Sequence, residues 1–164
     1  MAQITEPRPI HPTNVLLVAL GGAGGAALRD VVGRALGGAP DPGHFPVATF
    51  VINLTGAAVL GFLLVLAAPL TGRRAHVRPL LATGVIGAYT TTSTFAVETA
   101  RLVDGHDWRL AIAYALTSAV GGVALAGVGM TVGRELRSRW AAPVVAPAMA
   151  ARAVEEIDFV EEEA

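Results

Sequence analysis

Three stretches of this chain hold no charged residue at all: Phe45 to Leu70, Pro79 to Val97 and Leu110 to Gly133. A bilayer core is crossed by about 20 mainly apolar residues in one helix, because every backbone N–H and C=O must find its partner inside the segment. A fourth stretch, Asn14 to Leu36, is apolar from Val15 to Leu28. It then carries Arg29, Asp30 and Arg34 near its end, where such groups can snorkel, pair or face protein. The sequence therefore predicts an all-α integral membrane protein with four transmembrane helices, at about 14–36, 45–70, 79–103 and 109–134 of a membrane domain 14–137. Composition agrees: 15% of residues are charged, against about 25% in a typical soluble domain, and mean hydropathy is +0.56.

The flanks read differently. Residues 1–13 contain Pro7, Pro9 and Pro12 and are expected to form a disordered tail. Residues 138–164 end in "VEEIDFVEEEA" and are expected to be a disordered acidic tail. Short polar loops join the spans, and Trp108 is placed as an interfacial anchor. Glu6 and Arg8 leave no net basic region ahead of the first apolar run, so a retained helix is favoured over a cleaved signal. With four spans, Arg8, Arg73, Arg74, Arg78, Arg134, Arg137 and Arg139 share one side. That asymmetry predicts cytoplasmic termini in the plasma membrane.

Several function classes are excluded. There is no cysteine, hence no disulfide, thiolate zinc site or cysteine nucleophile. A net charge of −1 offers no footprint for nucleic acid. His11, His44, His76 and His106 fall in tails and loops without ligand spacing. No nucleophile–base–acid set appears, so an enzyme is not expected. Gly22-x-Gly24-x-x-Ala27, with Asp41 downstream, outlines a dinucleotide-binding turn, but the uncharged runs that follow are too long for the strands of a doubly wound sheet. Gly21 and Gly25 fit better as a small-xxx-small stripe for close helix packing, a spacing repeated at Gly129 and Gly133.

Polar groups inside the apolar runs narrow the function. Asn53 lies near the middle of the second span, with Thr49 and Gly56 on its face. Tyr114 and Ser118 share a face of the last span, and Glu98 lies toward the end of the third. The bland expectation is that the hydroxyls bond back to their own helices and Asn53 bonds across helices. "GAYTTTSTF", from Gly87 to Phe95, is harder to dismiss. Gly87 followed by Thr90, Thr91 and Thr92 is poor helix material, so the third helix is expected to break near its middle. Such a break is tolerated only inside protein or beside water, and freed carbonyls can hold a cation. Thr90, Ser93 and Thr94 are then placed to satisfy broken backbone and line a polar path.

Three segments together resemble the CrcB/Fluc family of fluoride channels: "GGAGGAALRD", "ATFVINLTGAAVLG" and "GVIGAYTTTSTFAVE". The resemblance covers roughly Gly21 to Gly133. It implies a fluoride-selective channel that exports fluoride from the cytoplasm, built as an antiparallel dimer of four-helix subunits, either homo- or heterodimeric. It further implies a structural sodium ion (Na+) at the dimer interface, held by backbone carbonyls of Gly87 and Thr90. Asn53, Phe95, Thr49, Tyr114, Ser118, Thr94 and Ser93 are the implied fluoride pore, and Arg29 matches the family's first-helix arginine. The chain departs from the pattern in two places. Thr92 stands where the family has its first phenylalanine, and Gly122 and Ala126 continue the Tyr114–Ser118 face without hydroxyls. The missing ring and the arginine bias point to one subunit of a heterodimer. The rival readings are a small proton-coupled multidrug transporter, which needs a first-helix carboxylate that Asp30 supplies poorly beside Arg29, and a non-conducting membrane partner subunit.

Overall fold

The computed structural model describes the backbone of residues 11–68, 70 and 76–162, and the side chains of these residues up to 140. Four helices among the described residues are long and apolar enough to cross a membrane. Helix α1 spans Pro12–Ala35 and α2 spans Val47–Ala67. The third span, Arg78–Asp104, is compound. It opens with a π-helical segment, Arg78–Ile86, continues as a single turn α3, Gly87–Tyr89, and resumes as α4, Thr92–Asp104. Helix α5 begins at Trp108 and its backbone runs to Glu162, with Trp108–Trp140 as its candidate span. No break in that helix marks the boundary expected at residue 138; the side chains beyond 140 lie outside the described residues, as do residues 1–10 of the expected N-terminal tail and Arg73 and Arg74 of the basic loop.

The buried core is small. Tyr114 and Pro46 are the largest fully buried side chains, while Val15, Leu16, Leu20, Ile112, Leu116, Val120 and Val123 point outward. In water this would be a costly surface, but in lipid outward apolar groups carry no such penalty, so packing quality decides which helices touch. Helix α2 packs mainly on α5, and α1 mainly on the π-helical segment.

Both contacts run through the glycine stripes. A Cβ on Gly21 would meet the Leu80 carbonyl oxygen and one on Gly25 the Val85 carbonyl oxygen. In return Gly84 sits on the backbone of Val18 and Gly21. Gly129 and Gly61 serve α5 and α2 likewise: a Cβ on Gly129 would meet the carbonyl of Ala58, and one on Gly61 that of Ala126. Backbones this close gain dispersion and weak Cα–H···O contacts that larger residues would forbid.

The third span breaks as expected, bending by 17°. The break falls at Thr90 and Thr91, not at Gly87, which keeps helical angles. Thr90 has φ −75° and ψ 156°, and Thr91 has φ −145° and ψ 116°, both extended.

Candidate functional site

A helix interrupted in mid-membrane must re-satisfy the backbone groups it frees. Here a side chain from another span does it. Asn53 Nδ2 donates to the Thr91 carbonyl at 3.0 Å, and the Thr91 N–H donates to Asn53 Oδ1 at 2.8 Å. One amide thus replaces both hydrogen bonds of one peptide residue. Thr91 also starts α4: its Oγ1 accepts from the Thr94 N–H at 3.1 Å and donates to Thr94 Oγ1 at 2.9 Å. Ser93 Oγ stands 3.3 Å from the same hydroxyl. An N-cap threonine of this kind is worth about 1 kcal/mol to a helix.

Upstream of the break, Thr90 remains tied to the preceding turn. Its N–H and its Oγ1 both donate to Ile86 O, each at 3.0 Å. Arg29 Nη1 approaches the Thr90 carbonyl at 3.4 Å. Because the Thr91 N–H goes to Asn53, the Gly87 carbonyl four residues back is left without its helical donor. Carbonyl oxygens freed in this way suit a hard cation such as Na+. Gly56 lets this arrangement close, since a Cβ there would run into the Thr90 methyl group.

A second polar cluster lies one turn along α4. Glu98 is 6% exposed, Thr49 4% and Tyr114 0%. Thr49 Oγ1 donates to Glu98 Oε1 and Tyr114 OH to Glu98 Oε2, each at 2.9 Å. Each carboxylate oxygen therefore holds one hydroxyl from a different helix. Phe95 packs 5.0 Å from the Tyr114 ring, and Phe45 meets Tyr114 edge-on at 5.2 Å. Removing one donor leaves a buried carboxylate oxygen unpaired, so Tyr114→Phe should lower stability by about 1–3 kcal/mol. Thermal unfolding in detergent reads this, and an unchanged midpoint would place that bond outside the stability of the subunit.

The two clusters face one groove of about 440 Å³ lined by Arg29, Thr49, Thr91, Ser93, Thr94 and Glu98 among others. The structure thus gathers five of the residues singled out from sequence. It sets others back. Asn53, Phe95, Tyr114 and Ser118 are outside the groove wall. One N–H of Asn53 is spent on Thr91, leaving its second as the amide's remaining donor. Ser118 Oγ is buried without a hydrogen-bond partner. Thr92, the first residue of α4, is exposed. The bland expectation holds for Thr55, Thr99, Thr117 and Thr131, which bond back to their own helices. It holds for Asn53 too, which bonds across helices, here to the backbone of Thr91. Asp30 pairs with Arg34 on an exposed surface of α1, so it is not the isolated intramembrane carboxylate that proton coupling calls for.

Sequence reasoning named Thr91 only as one of three helix-breaking threonines and gave Tyr89 no role. Thr91 is the extended threonine whose N–H and carbonyl are both taken by Asn53, and Tyr89 OH bonds Thr55 Oγ1 at 3.0 Å just before the break. The signal for Thr91 is not local: it is the reach of Asn53, 38 positions earlier.

A protein from Leifsonia xyli named fluoride-specific ion channel FluC 2 is 43% identical over 129 residues, covering 76% of this chain and 87% of the relative. A fluoride-specific ion channel FluC from Paracoccus denitrificans is 41% identical over 121 residues, covering 74% and 94%. One from Chloroflexus aurantiacus is 40% identical over 122 residues, covering 74% and 95%. Residues 16–130, from within α1 to within α5, match the family described as CrcB-like protein, Camphor Resistance (CrcB). With its broken third span, its amide clamp and this match over most of its length, the chain belongs to the CrcB-like family.

Proposed function

We propose that this multi-pass membrane protein is a fluoride-selective channel subunit that lets fluoride leave the cytoplasm. The observation that carries the reading is the break at Thr90–Thr91, clamped by Asn53 and opening on a groove lined with hydroxyls. The relatives named as fluoride-specific channels support the choice of ion. Fluoride is small and holds its water strongly. A pore for it must replace that water with several donors and still release the ion. Thr49, Ser93 and Thr94 on the groove wall, with Tyr114, Ser118, the second N–H of Asn53 and the edge of Phe95 set behind it, are the groups we assign to this task. Glu98 competes with the anion for the Thr49 and Tyr114 hydroxyls, so the ion gains them only when the carboxylate turns away. No bond is made or broken in the passage, and the role asks for no catalytic group.

The reading includes an antiparallel dimer in the plasma membrane, with Na+ held at its centre by the Gly87 and Thr90 carbonyls. The arginine asymmetry supports cytoplasmic termini for this subunit. It also supports an unlike partner of opposite orientation, as does Thr92 in the place of a phenylalanine. The assembly is tested by purifying the chain alone and together with a second CrcB-like chain of its own source. A stable pair that releases fluoride, with little release from the chain alone, is expected. Full efflux from the chain alone would make it a homodimer. Efflux that continues without a proton gradient separates a channel from a proton-coupled multidrug transporter. Na+, unlike K+, should raise the thermal midpoint of the assembly in a concentration-dependent way; identical midpoints in the two salts would remove sodium from it.

A further inference from the structure

The anion groove has a neighbour. A second cavity of about 370 Å³ lies against the α1–α2 loop and is lined by Asp41, His44, Glu98, Arg101, Leu102 and Asp104 among others. Glu98 and Arg101 belong to the walls of both cavities. They form the waist between them, one helical turn apart on α4.

The two sides differ in charge. The groove carries Arg29 and Arg101 against Glu98. The second cavity carries Asp41, Glu98 and Asp104 against Arg101, with His44 on its wall. The groove thus has two guanidiniums and the second cavity one, and Arg101 is the one that lines both. Among the described residues only Arg34 and Arg139 are paired with a carboxylate, so Arg101 and the groove's Arg29 both make no ion pair, and Arg101 differs from Arg29 in lining the second cavity as well. An arginine tying down a structural carboxylate would be paired. One left open on two cavities, near the end of a membrane span, sets the potential there.

We propose that Arg101 is the electrostatic gate of this subunit's anion groove: its charge offsets Glu98 and the acidic loop-side cavity, and so raises the local concentration of the anion that the groove takes. The inference rests on the fluoride reading above. Low-dielectric walls focus the field of such a charge, and open clefts of one sign raise anion entry by roughly 10- to 1,000-fold in favourable cases. Arg101 faces three carboxylates, so the expected effect lies at the low end of that range.

The experiment is fluoride flux through liposomes holding the complete assembly, with fluoride supplied on the side that the α1–α2 loop and Arg101 face, measured over a series of fluoride concentrations and at two ionic strengths. Arg101→Gln should raise the fluoride concentration for half-maximal flux about tenfold at low salt, with maximal flux little changed. Arg101→Glu should raise it further, and Arg101→Lys should restore it. The difference should shrink at physiological salt, where the Debye length falls from about 30 Å at 0.01 M to about 8 Å. A merely structural role would lower maximal flux and show no salt dependence. If the unaltered protein conducts and Arg101→Glu has the same half-maximal concentration at low salt, this inference fails alone. If the unaltered assembly carries no fluoride, the channel reading fails and this inference with it.

Discussion

Asn53→Ala is expected to reduce fluoride efflux by about ten- to a hundredfold in liposomes, with the subunit still inserted. The estimate follows from what the amide does. It accepts the Thr91 N–H and donates to the Thr91 carbonyl, and alanine can do neither. Each buried backbone group left unpaired costs about 1–3 kcal/mol, and each 1.4 kcal/mol is about tenfold in a rate or population. The break would then close toward helix or take up water, and either change displaces Ser93 and Thr94 from the groove. Asn53→Asp separates the two bonds. An aspartate still accepts the Thr91 N–H, but it cannot donate to the carbonyl, and it adds a negative charge beside an anion path. It should therefore conduct no better than the alanine variant, although it keeps half the clamp. Equal flux in the original and alanine proteins would detach Asn53 from conduction.

The second large effect concerns assembly of the subunit itself. Gly25→Val should abolish recovery of folded, monodisperse protein, whereas Gly24→Ala should be tolerated. A Cβ at Gly25 falls on the carbonyl of Val85, with the rest of that residue's backbone at 2.9–3.0 Å. A side chain could rotate away, but a backbone carbonyl in a helix cannot. Overpacking usually costs about 1–3 kcal/mol where neighbours yield, and here the neighbour is the π-helical segment itself. Separating it from α1 would also shift Thr90 relative to Arg29. A Cβ at Gly24, one position away, meets nothing within 4 Å. Yield and thermal stability in detergent measure both variants. Normal recovery of the valine variant would show that α1 does not depend on this contact.

Much of this was legible in the residues. Uncharged runs longer than any strand gave the spans, because lipid admits only helices or closed barrels. The threonines after Gly87 announced the break, since β-branched residues resist helix. Asn53 declared itself by being an amide in an apolar run. What stayed hidden were matters of long-range geometry. Five consecutive hydroxyl residues look alike locally, and only the reach of Asn53 places the break at Thr90 and Thr91 and selects Thr91 as the residue it clamps. The π-helical widening at Arg78–Ile86 has no local signature beyond Pro79. It appears where its carbonyls bear on the glycines of α1. Glu98 could be read as a packed carboxylate, but not as the shared acceptor of Thr49 and Tyr114, which arrive from separate helices. Helix α5 continues in backbone to Glu162, past the point where composition changes.

The most direct measurement is the response of a fluoride electrode outside liposomes that contain the purified assembly and equal internal fluoride and chloride, with a potassium ionophore to carry the compensating charge. The account predicts rapid release of fluoride while chloride stays inside, with that release largely lost when Asn53 is replaced by alanine. Retention of fluoride, or release of both halides together, would contradict it.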